Sequence, residues 1–320
     1  IEGHPKKSVI MSRHNAYHGS TMGGASLGGM SGMHKQGGLP IPDIEHIGQP
    51  HWFAEGGDLS PDAFGLKVAR ELEAKIDELG EERVAAFIGE PIQGAGGVIV
   101  PPDTYWPEIQ RICRERNILL VADEVITGFR RTGQWFGSQS FGIEPDLMPI
   151  AKGLSSGYLP IGGVMFSDRV ADALIAKGGE FQHGYTYSGH PVSCAVAFEN
   201  VRLLRDEGIV DRVRSDTGPY FQQRLGELSQ HPIVGEVRGA GLMAGIQLAK
   251  DATTRQRFED PSAVGTLCKA HAIANRLIMR AVEDSMVLSP PLIITRGEID
   301  ELVDKVRSSL DATARDIGAL

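Results

Sequence analysis

The sequence is poor in cysteine. Its 320 residues include only Cys113, Cys194 and Cys268, which are far apart and form no CxxC motif. We therefore expect no disulfide framework, and this usage fits a protein of the reducing cytoplasm. We also recognise no signal peptide at the start of the chain.

Long apolar runs and an excess of basic charge are also missing. No stretch approaches the roughly 20 apolar residues that a membrane-spanning helix needs, so we expect no membrane partner. The formal net charge is −9, from 32 basic and 41 acidic residues, and no basic stripe is visible. We therefore do not expect nucleic acid as a partner. Hydrophobic residues make up 41% of the chain, which excludes a mostly disordered protein.

Apolar runs of strand and helix length alternate through the first two thirds of the sequence, which predicts an α/β fold with a mainly parallel sheet covered on both faces. The predicted helices here are residues 64–79 and 102–117, and the predicted strands are residues 8–11, 84–88, 118–122, 147–151 and 163–166. The pattern changes after a long helix at 193–206. We place a domain boundary there, with a large α/β domain at 1–207 and a smaller α+β domain at 208–320.

The smaller domain is predicted to mix helices with short strands. The predicted helices are residues 210–228 and 262–275, followed by a last helix that begins with a capping box of Thr295 and Glu298, and the predicted strands are 234–237, 242–248, 277–279 and 286–288.

Two acidic residues follow predicted strands directly. Asp123 comes after the strand 118–122, and Glu90 follows the strand 84–88. Ligands of open α/β sheets bind at the carboxyl ends of the strands, so these acids are candidates for one site. A helix cap is the alternative interpretation of either residue alone.

Lys152 ends the apolar run 147–151. Desolvation lowers the pKa of an ammonium group, and a neutral amine is a nucleophile for carbonyl groups. The alternative is a lysine whose amine simply reaches solvent at a strand end.

Several other motifs are incomplete. Gly239-Ala-Gly241 precedes a predicted strand where a dinucleotide site needs a helix, and no GxSxG elbow occurs. His14 and His18 have the i, i+4 spacing of metal ligands, but a loop is predicted there and no HExxH is present. We therefore expect no metal.

The ordered motifs resemble the class III aminotransferases, which use pyridoxal phosphate on the fold-type-I scaffold. The resemblance covers essentially the whole chain. It rests on the segments Tyr17-His18-Gly19, Glu90-Pro91-Ile92-Gln93-Gly94, Asp123 to Phe129, Arg131-Thr132-Gly133, Lys152-Gly153-Leu154 and Thr186 to Pro191.

The resemblance implies a role for each matching residue. Lys152 would carry the cofactor as a Schiff base and shuttle a proton, and Asp123 would pair with the ring nitrogen. Tyr17 and Val125 would pack on the two ring faces, in a pocket to which His18 and Glu90 also belong. Thr186 would reach the phosphate in the neighbouring subunit, which implies a homodimer, or a tetramer of dimers, with shared sites. Taken alone, Tyr17 is equally a core aromatic and Thr186 a turn hydroxyl.

Further segments resemble the pyruvate-dependent ω-aminotransferases, in particular those acting on putrescine or polyamines, with β-alanine– and taurine–pyruvate enzymes nearby. These are Tyr17 to Thr21, Gly24 to Met30 and Leu277 to Arg280. Small-molecule amines and 2-oxo acids would then be the substrates. Arg280 matches the arginine that binds a substrate carboxylate and swings aside for an amine, with Glu90 as a possible acceptor. The alternative is a surface arginine.

Two departures from the family pattern stand out. Arg130 occupies a position that is commonly glycine. Family members also have on the order of a hundred residues upstream, about one domain, which carry part of the small domain and a phosphate-binding cup. If these are lacking, we expect weak cofactor binding and aggregation. The alternative, in a different functional class, is a non-catalytic soluble dimer that cannot hold the cofactor.

Overall fold

A computed structural model describes residues 1–320. Its larger sheet has six strands in the order β2-β1-β3-β4-β5-β6. The strands are β1 Val9–Arg13, β2 Ile44–Ile47, β3 Val84–Gly89, β4 Leu119–Ala122, β5 Leu147–Ile150 and β6 Gly163–Phe166. The first five are mutually parallel, and β6 pairs antiparallel with β5. The predicted α/β fold with a mainly parallel sheet is thus confirmed.

Eight helices accompany this sheet. They are α1 Met22–Leu27, α2 Ser31–His34, α3 Trp52–Glu55, α4 Pro61–Leu79, α5 Tyr105–Glu115, α6 Gly137–Phe141, α7 Asp168–Lys177 and α8 Pro191–Asp206. The predicted helix over 64–79 is α4. Its apolar residues recur every three or four positions and are buried, and Ser60 caps its first turn by accepting from the Ala63 N–H.

The core of the larger sheet lies under α4 and α5. Phe64 and Leu72 of α4, and Trp106 and Ile109 of α5, are almost fully buried with Phe87 of β3. The opposite end of the sheet differs, because every residue of β6 is exposed and α7 buries none of its side chains.

The second sheet is antiparallel, with the order β7-β8-β10-β9. Its strands are β7 Val234–Ala240, β8 Met243–Leu248, β9 Arg280–Val282 and β10 Ser285–Leu288, and its helices are α9 Ile209–Arg212, α10 Gly218–Gly226, α11 Ala263–Ala274 and α12 Arg296–Asp316. The predicted capping box is confirmed at the start of α12, where Thr295 Oγ1 accepts from the Glu298 N–H and the Glu298 carboxylate accepts from the Thr295 N–H.

The helix predicted over 210–228 is present as one continuous helical stretch, in which α9 passes through a π-helical turn at Val213–Thr217 into α10 and ends in a 3-10 turn at Glu227–Gln230. Pro219 lies inside this stretch and lacks an N–H, so a regular α-helix would lose one backbone hydrogen bond there. One prediction in this region is wrong in detail. The strand expected at 277–279 instead begins at Arg280.

The predicted domain boundary falls between α8 and α9, in the short connection at residues 207–208. No helix of the chain is both long enough and apolar enough to cross a bilayer.

Candidate active site

The candidate site lies at the carboxyl ends of four neighbouring strands. Strand β1 leads into Tyr17 and His18, β3 into Glu90, β4 into Asp123, and β5 into Lys152. Because β1, β3, β4 and β5 are adjacent and parallel, these ends share one edge of the sheet. The two acid-bearing strands are neighbours, and their acids lie at one edge of the sheet, as the sequence predicted.

Asp123 is buried and fixed through both carboxylate oxygens. Its Oδ2 lies 2.7 Å from His18 Nδ1, and its Oδ1 accepts from the Val125 N–H at 3.0 Å. The His18 side chain is only 2% exposed, and its Nε2 has no partner. Since an ionised carboxylate can only accept, His18 donates from Nδ1. The sequence predicted both residues for the site but not this bond between them.

Glu90 is 3% exposed and bonds to two backbone groups of its surroundings. Its Oε1 accepts from the Tyr17 N–H at 3.1 Å, and its Oε2 accepts from the Gly94 N–H at 2.7 Å. Burial raises the pKa of Glu90; nearby His18 and Arg13 oppose this shift, and Asp123 adds to it. Glu90 thus fixes the backbone at Tyr17.

Arg13 is a residue of this region that the sequence reasoning missed. It is fully buried at the end of β1, and its Nη2 donates to the Glu90 carbonyl at 2.6 Å. Its guanidinium carbon lies 5.8 Å and 5.5 Å from the ring centres of Tyr105 and Trp106. The sequence feature that could have identified Arg13 is an arginine within an apolar strand. Arginine is almost never buried without a partner, so its position indicates a specific contact.

Lys152 has a left-handed backbone conformation, with a φ of 38°, at the turn that follows β5. Its side chain retains exposed surface, but desolvation by neighbouring protein atoms lowers its pKa, while the charges of Asp123 and Glu90 raise it. Positive φ is uncommon outside glycine and concentrates at functional sites. Lys152 is therefore a strained lysine facing two acids.

Two predicted residues lie apart from this group. Thr186 belongs to an exposed, irregular stretch before α8, and Arg280 is the exposed first residue of β9. Neither side chain forms a hydrogen bond or ion pair. No Glu90–Arg280 pair is formed, and the two Glu90 oxygens accept backbone N–H groups from Tyr17 and Gly94.

The donor set at the sheet edge fits pyridoxal phosphate. A buried aspartate suits a cationic ring nitrogen, and a lysine with a lowered pKa suits an aldehyde. The Nε2 atom of His18, on the side of the ring opposite the bond to Asp123, is buried and has no hydrogen-bond partner in the protein. His14 stacks on His46 and takes no part, with ring centres 5.8 Å apart.

Comparison with known proteins decides the family. The family model "Aminotransferase class-III" matches residues 1–310. The chain belongs to the class III aminotransferases. The resemblance seen in the sequence motifs is thereby confirmed, and this aminotransferase is an enzyme of the transaminase type.

Relatives include the putrescine–pyruvate aminotransferase of Pseudomonas aeruginosa, with 59% identity over 98% of this chain and 68% of that protein. A probable γ-aminobutyrate transaminase 3, mitochondrial, of Oryza sativa subsp. indica shares 41% identity over 99% of this chain and 63% of that protein. The chain thus spans roughly two thirds of these relatives.

Solved transaminase structures share the fold. A transaminase with L-alanine superposes with a TM-score of 0.94 at 42% identity, over 98% of this chain and 75% of the other. The ω-transaminase of Pseudomonas jessenii in complex with PMP gives 0.95 at 42% identity, over 99% and 71%.

Proposed function

We propose that this aminotransferase moves an amino group from an ω-amine or diamine such as putrescine to pyruvate, which yields an aldehyde and alanine. The observation that carries this proposal is the 59% identity to the putrescine–pyruvate aminotransferase of P. aeruginosa. The site at the sheet edge supports it independently, because it supplies an acid and a lysine of the kinds that the reaction requires.

Pyridoxal phosphate, when bound, supplies an electron sink for the negative charge that develops on the substrate carbon. Lys152 is proposed to hold it covalently and then to move a proton with its Nζ. Surrounding protein atoms desolvate this amine and lower its pKa, which increases the neutral fraction able to accept a proton. Asp123 is proposed to face the ring nitrogen, with His18 and the Val125 N–H fixing its carboxylate.

Tyr17 and Val125 are proposed to contact the two faces of the cofactor ring. Both are fixed by the acids of the site: the Tyr17 N–H donates to Glu90, and the Val125 N–H donates to Asp123. Because these hydrogen bonds fix the backbone, the side chains of Tyr17 and Val125 remain free to pack against the ring. Glu90 would thus act on the ring pocket through Tyr17.

The protein is proposed to act as a homodimer with shared sites, or as a tetramer of such dimers. The support is the exposed apolar surface of residues 158–198, where Tyr158 is 80% exposed, Tyr187 is 80% exposed and Phe198 is 73% exposed. Thr186 lies within this surface and is proposed to reach the phosphate bound in the partner's site. Free cysteines support a cytoplasmic location.

A donor panel tests the proposed activity. The holoenzyme would be given pyruvate with putrescine, cadaverine, β-alanine, taurine or an arylalkyl monoamine, and alanine formation would be measured. We expect putrescine or cadaverine to give the highest kcat/KM. Higher values for β-alanine or taurine would assign the protein to the ω-amino acid type. If the protein carried no cofactor absorbance after incubation with pyridoxal phosphate and removal of the unbound cofactor, the chain would be a non-catalytic form.

A further inference from the structure

Arg238 lies in β7 of the second sheet, yet two of its four side-chain hydrogen bonds reach the loop that follows Glu90. The residue is 9% exposed. Its Nη2 donates to the Gly97 carbonyl at 2.7 Å, and its Nε donates to the Val98 carbonyl at 2.8 Å. Both acceptors belong to the first part of the chain, about 140 positions away. The Arg238 guanidinium therefore connects the second sheet to the loop that follows β3.

The loop that Arg238 binds is a closed hairpin over residues 93–99. Gln93 and Ile99 exchange two backbone hydrogen bonds, of 3.1 Å and 3.0 Å, and the Gly97 and Val98 N–H groups both donate to the Gly94 carbonyl at 3.1 Å. Every residue of the hairpin is buried. Buried carbonyls that lose their donors pay a desolvation penalty, so this hairpin depends on Arg238.

The hairpin in turn holds the active site. The Gly94 N–H donates to Glu90 Oε2 at 2.7 Å, and the other Glu90 oxygen accepts from the Tyr17 N–H. A second connection joins Asn15, whose side-chain amide donates to the Gly96 carbonyl at 2.9 Å. The hydrogen-bonded path therefore runs from Arg238 through the hairpin to Glu90 and Tyr17.

The surroundings of Arg238 make it a fixed rather than a mobile group. Its Nη1 donates to Glu236 at 2.7 Å, and its Nη2 also donates to Ser285 Oγ at 2.8 Å. Space for this arrangement depends on glycine at position 245, where a Cβ would come within 2.7 Å of the Gly97 carbonyl oxygen. A guanidinium supplies five donors in a rigid fork, which a lysine cannot reproduce.

We propose that Arg238 is a positioning residue for the active site, which fixes Glu90 and Tyr17 from the second sheet through the hairpin. Correct site geometry then requires the two sheets to be docked. The effect of Arg238 on catalysis rests on the proposed transaminase function. Its effect on the structure of the hairpin is independent of that function.

A double-mutant cycle in the holoenzyme tests the kinetic part. Arg238→Lys keeps the positive charge but loses the forked set of guanidinium donors. Glu90→Gln replaces one carboxylate oxygen by an NH₂ group, which cannot accept from the backbone N–H that it faces. We expect each to lower kcat/KM of the amine half-reaction about tenfold, and the double variant to be no worse than about threefold below the lower single variant. Independent losses that multiply to about a hundredfold would overturn the proposal.

Hydrogen exchange in the apoprotein tests the structural part without catalysis. Arg238→Lys is expected to speed exchange in peptides covering residues 93–99 and residue 17. Arg212→Lys is the matched control, because Arg212 Nη2 donates to the Leu292 carbonyl and does not contact the hairpin. Equal exchange in wild type and Arg238→Lys would overturn the proposal, whereas a wild type without turnover would overturn only the proposed function.

If Arg238→Lys does not fold, Ser285→Ala takes its place, since it removes only one acceptor of Nη2. The losses of kcat/KM caused by Ser285→Ala and Glu90→Gln are also expected to be non-additive, although each loss from Ser285→Ala is smaller. Strictly multiplicative losses for this pair would also contradict the role assigned to Arg238.

Discussion

His18 holds Asp123 in place: its Nδ1 lies 2.7 Å from Asp123 Oδ2, and both side chains are almost completely buried. Since Nδ1 carries the donated proton, the neutral form of the ring has a bare lone pair on Nε2. The imidazole thus acts as an orienting group behind the acid. The Val125 N–H fixes the second oxygen of the same carboxylate.

Asp123→Asn is expected to bind the cofactor but to react slowly. A charge-assisted hydrogen bond contributes about 1.5–3 kcal/mol, and about 1.4 kcal/mol corresponds to a tenfold rate change. The substrate proton should therefore be removed at least about ten- to a hundredfold more slowly. Single-turnover spectroscopy measures this step, and half-reaction rates close to wild type would contradict the role of Asp123.

Cofactor capture should depend on pH through Lys152. Partial desolvation by neighbouring protein atoms lowers the pKa of this amine, and only its neutral form attacks an aldehyde, so the uptake rate should rise with pH and level off below the ordinary lysine range. Asp123 raises this pKa, so Asp123→Asn should move the midpoint to lower pH. The uptake rate of pyridoxal phosphate by the apoprotein measures both effects. Lys152→Ala is the control, and a borohydride-reducible covalent attachment of the cofactor that survives in it would refute the assignment.

The sequence predicted the elements near the site well because their signals are local. Helix α4 has a cap and a regular apolar repeat, and β3, β4 and β5 are apolar runs that end at Glu90, Asp123 and Lys152. Parallel strands bring such ends to one edge, so the grouping of these residues followed from the order of elements alone.

Contacts between distant segments could not be predicted in the same way. Arg13 donates to the Glu90 carbonyl, and Arg238 donates to a hairpin that is about 140 positions away in the sequence. Neither contact produces a periodic pattern in the sequence. Strand β2 was missed because its residues are only half-buried and alternate weakly. The hydrogen bonds from the Tyr17 and Gly94 N–H groups to Glu90 likewise leave no signal in the sequence.

Arg130 carries a local strain that its variants should reveal. Its φ is 84°, and its guanidinium stacks on the Trp135 ring, where burial lowers its pKa to about 9. A left-handed backbone conformation destabilises a residue with a Cβ by about 1–2 kcal/mol. Stacking of a cation on an aromatic ring stabilises by a similar amount. Arg130→Gly should therefore be nearly neutral. Arg130→Ala keeps the strain without the stack and should unfold more easily by about 1 kcal/mol. Equal stability of the two variants in urea would show that the backbone is unstrained.

Mixed dimers test whether the two subunits share their sites. Lys152→Ala and Thr186→Ala would each be purified, then mixed and allowed to exchange subunits. If Thr186 serves the partner's site, one site of each mixed dimer carries both changes and the other carries none, so activity should return. If both residues serve the same site of one chain, every site stays defective and the mixture remains inactive.

Arg280 should separate the two half-reactions. A pyruvate-dependent amine aminotransferase binds a carboxylate in one half-reaction and an uncharged or cationic group in the other. A fixed, buried cation would repel the second substrate. Arg280 is exposed at the start of β9 and makes no ion pair, so its guanidinium is available for a bidentate pair with pyruvate and can otherwise remain in solvent.

Arg280→Ala should slow the pyruvate half-reaction by about two orders of magnitude, since the pair contributes about 1.5–3 kcal/mol. Conversion of a monoamine to its aldehyde should stay within about tenfold of wild type, because no carboxylate is present to lose. Stopped-flow spectroscopy of each half-reaction measures the two rates separately. Arg276→Ala is the matched control, as a nearby arginine outside the strand. Equal losses in both half-reactions would mean that Arg280 supports the structure of the site and does not recognise the carboxylate.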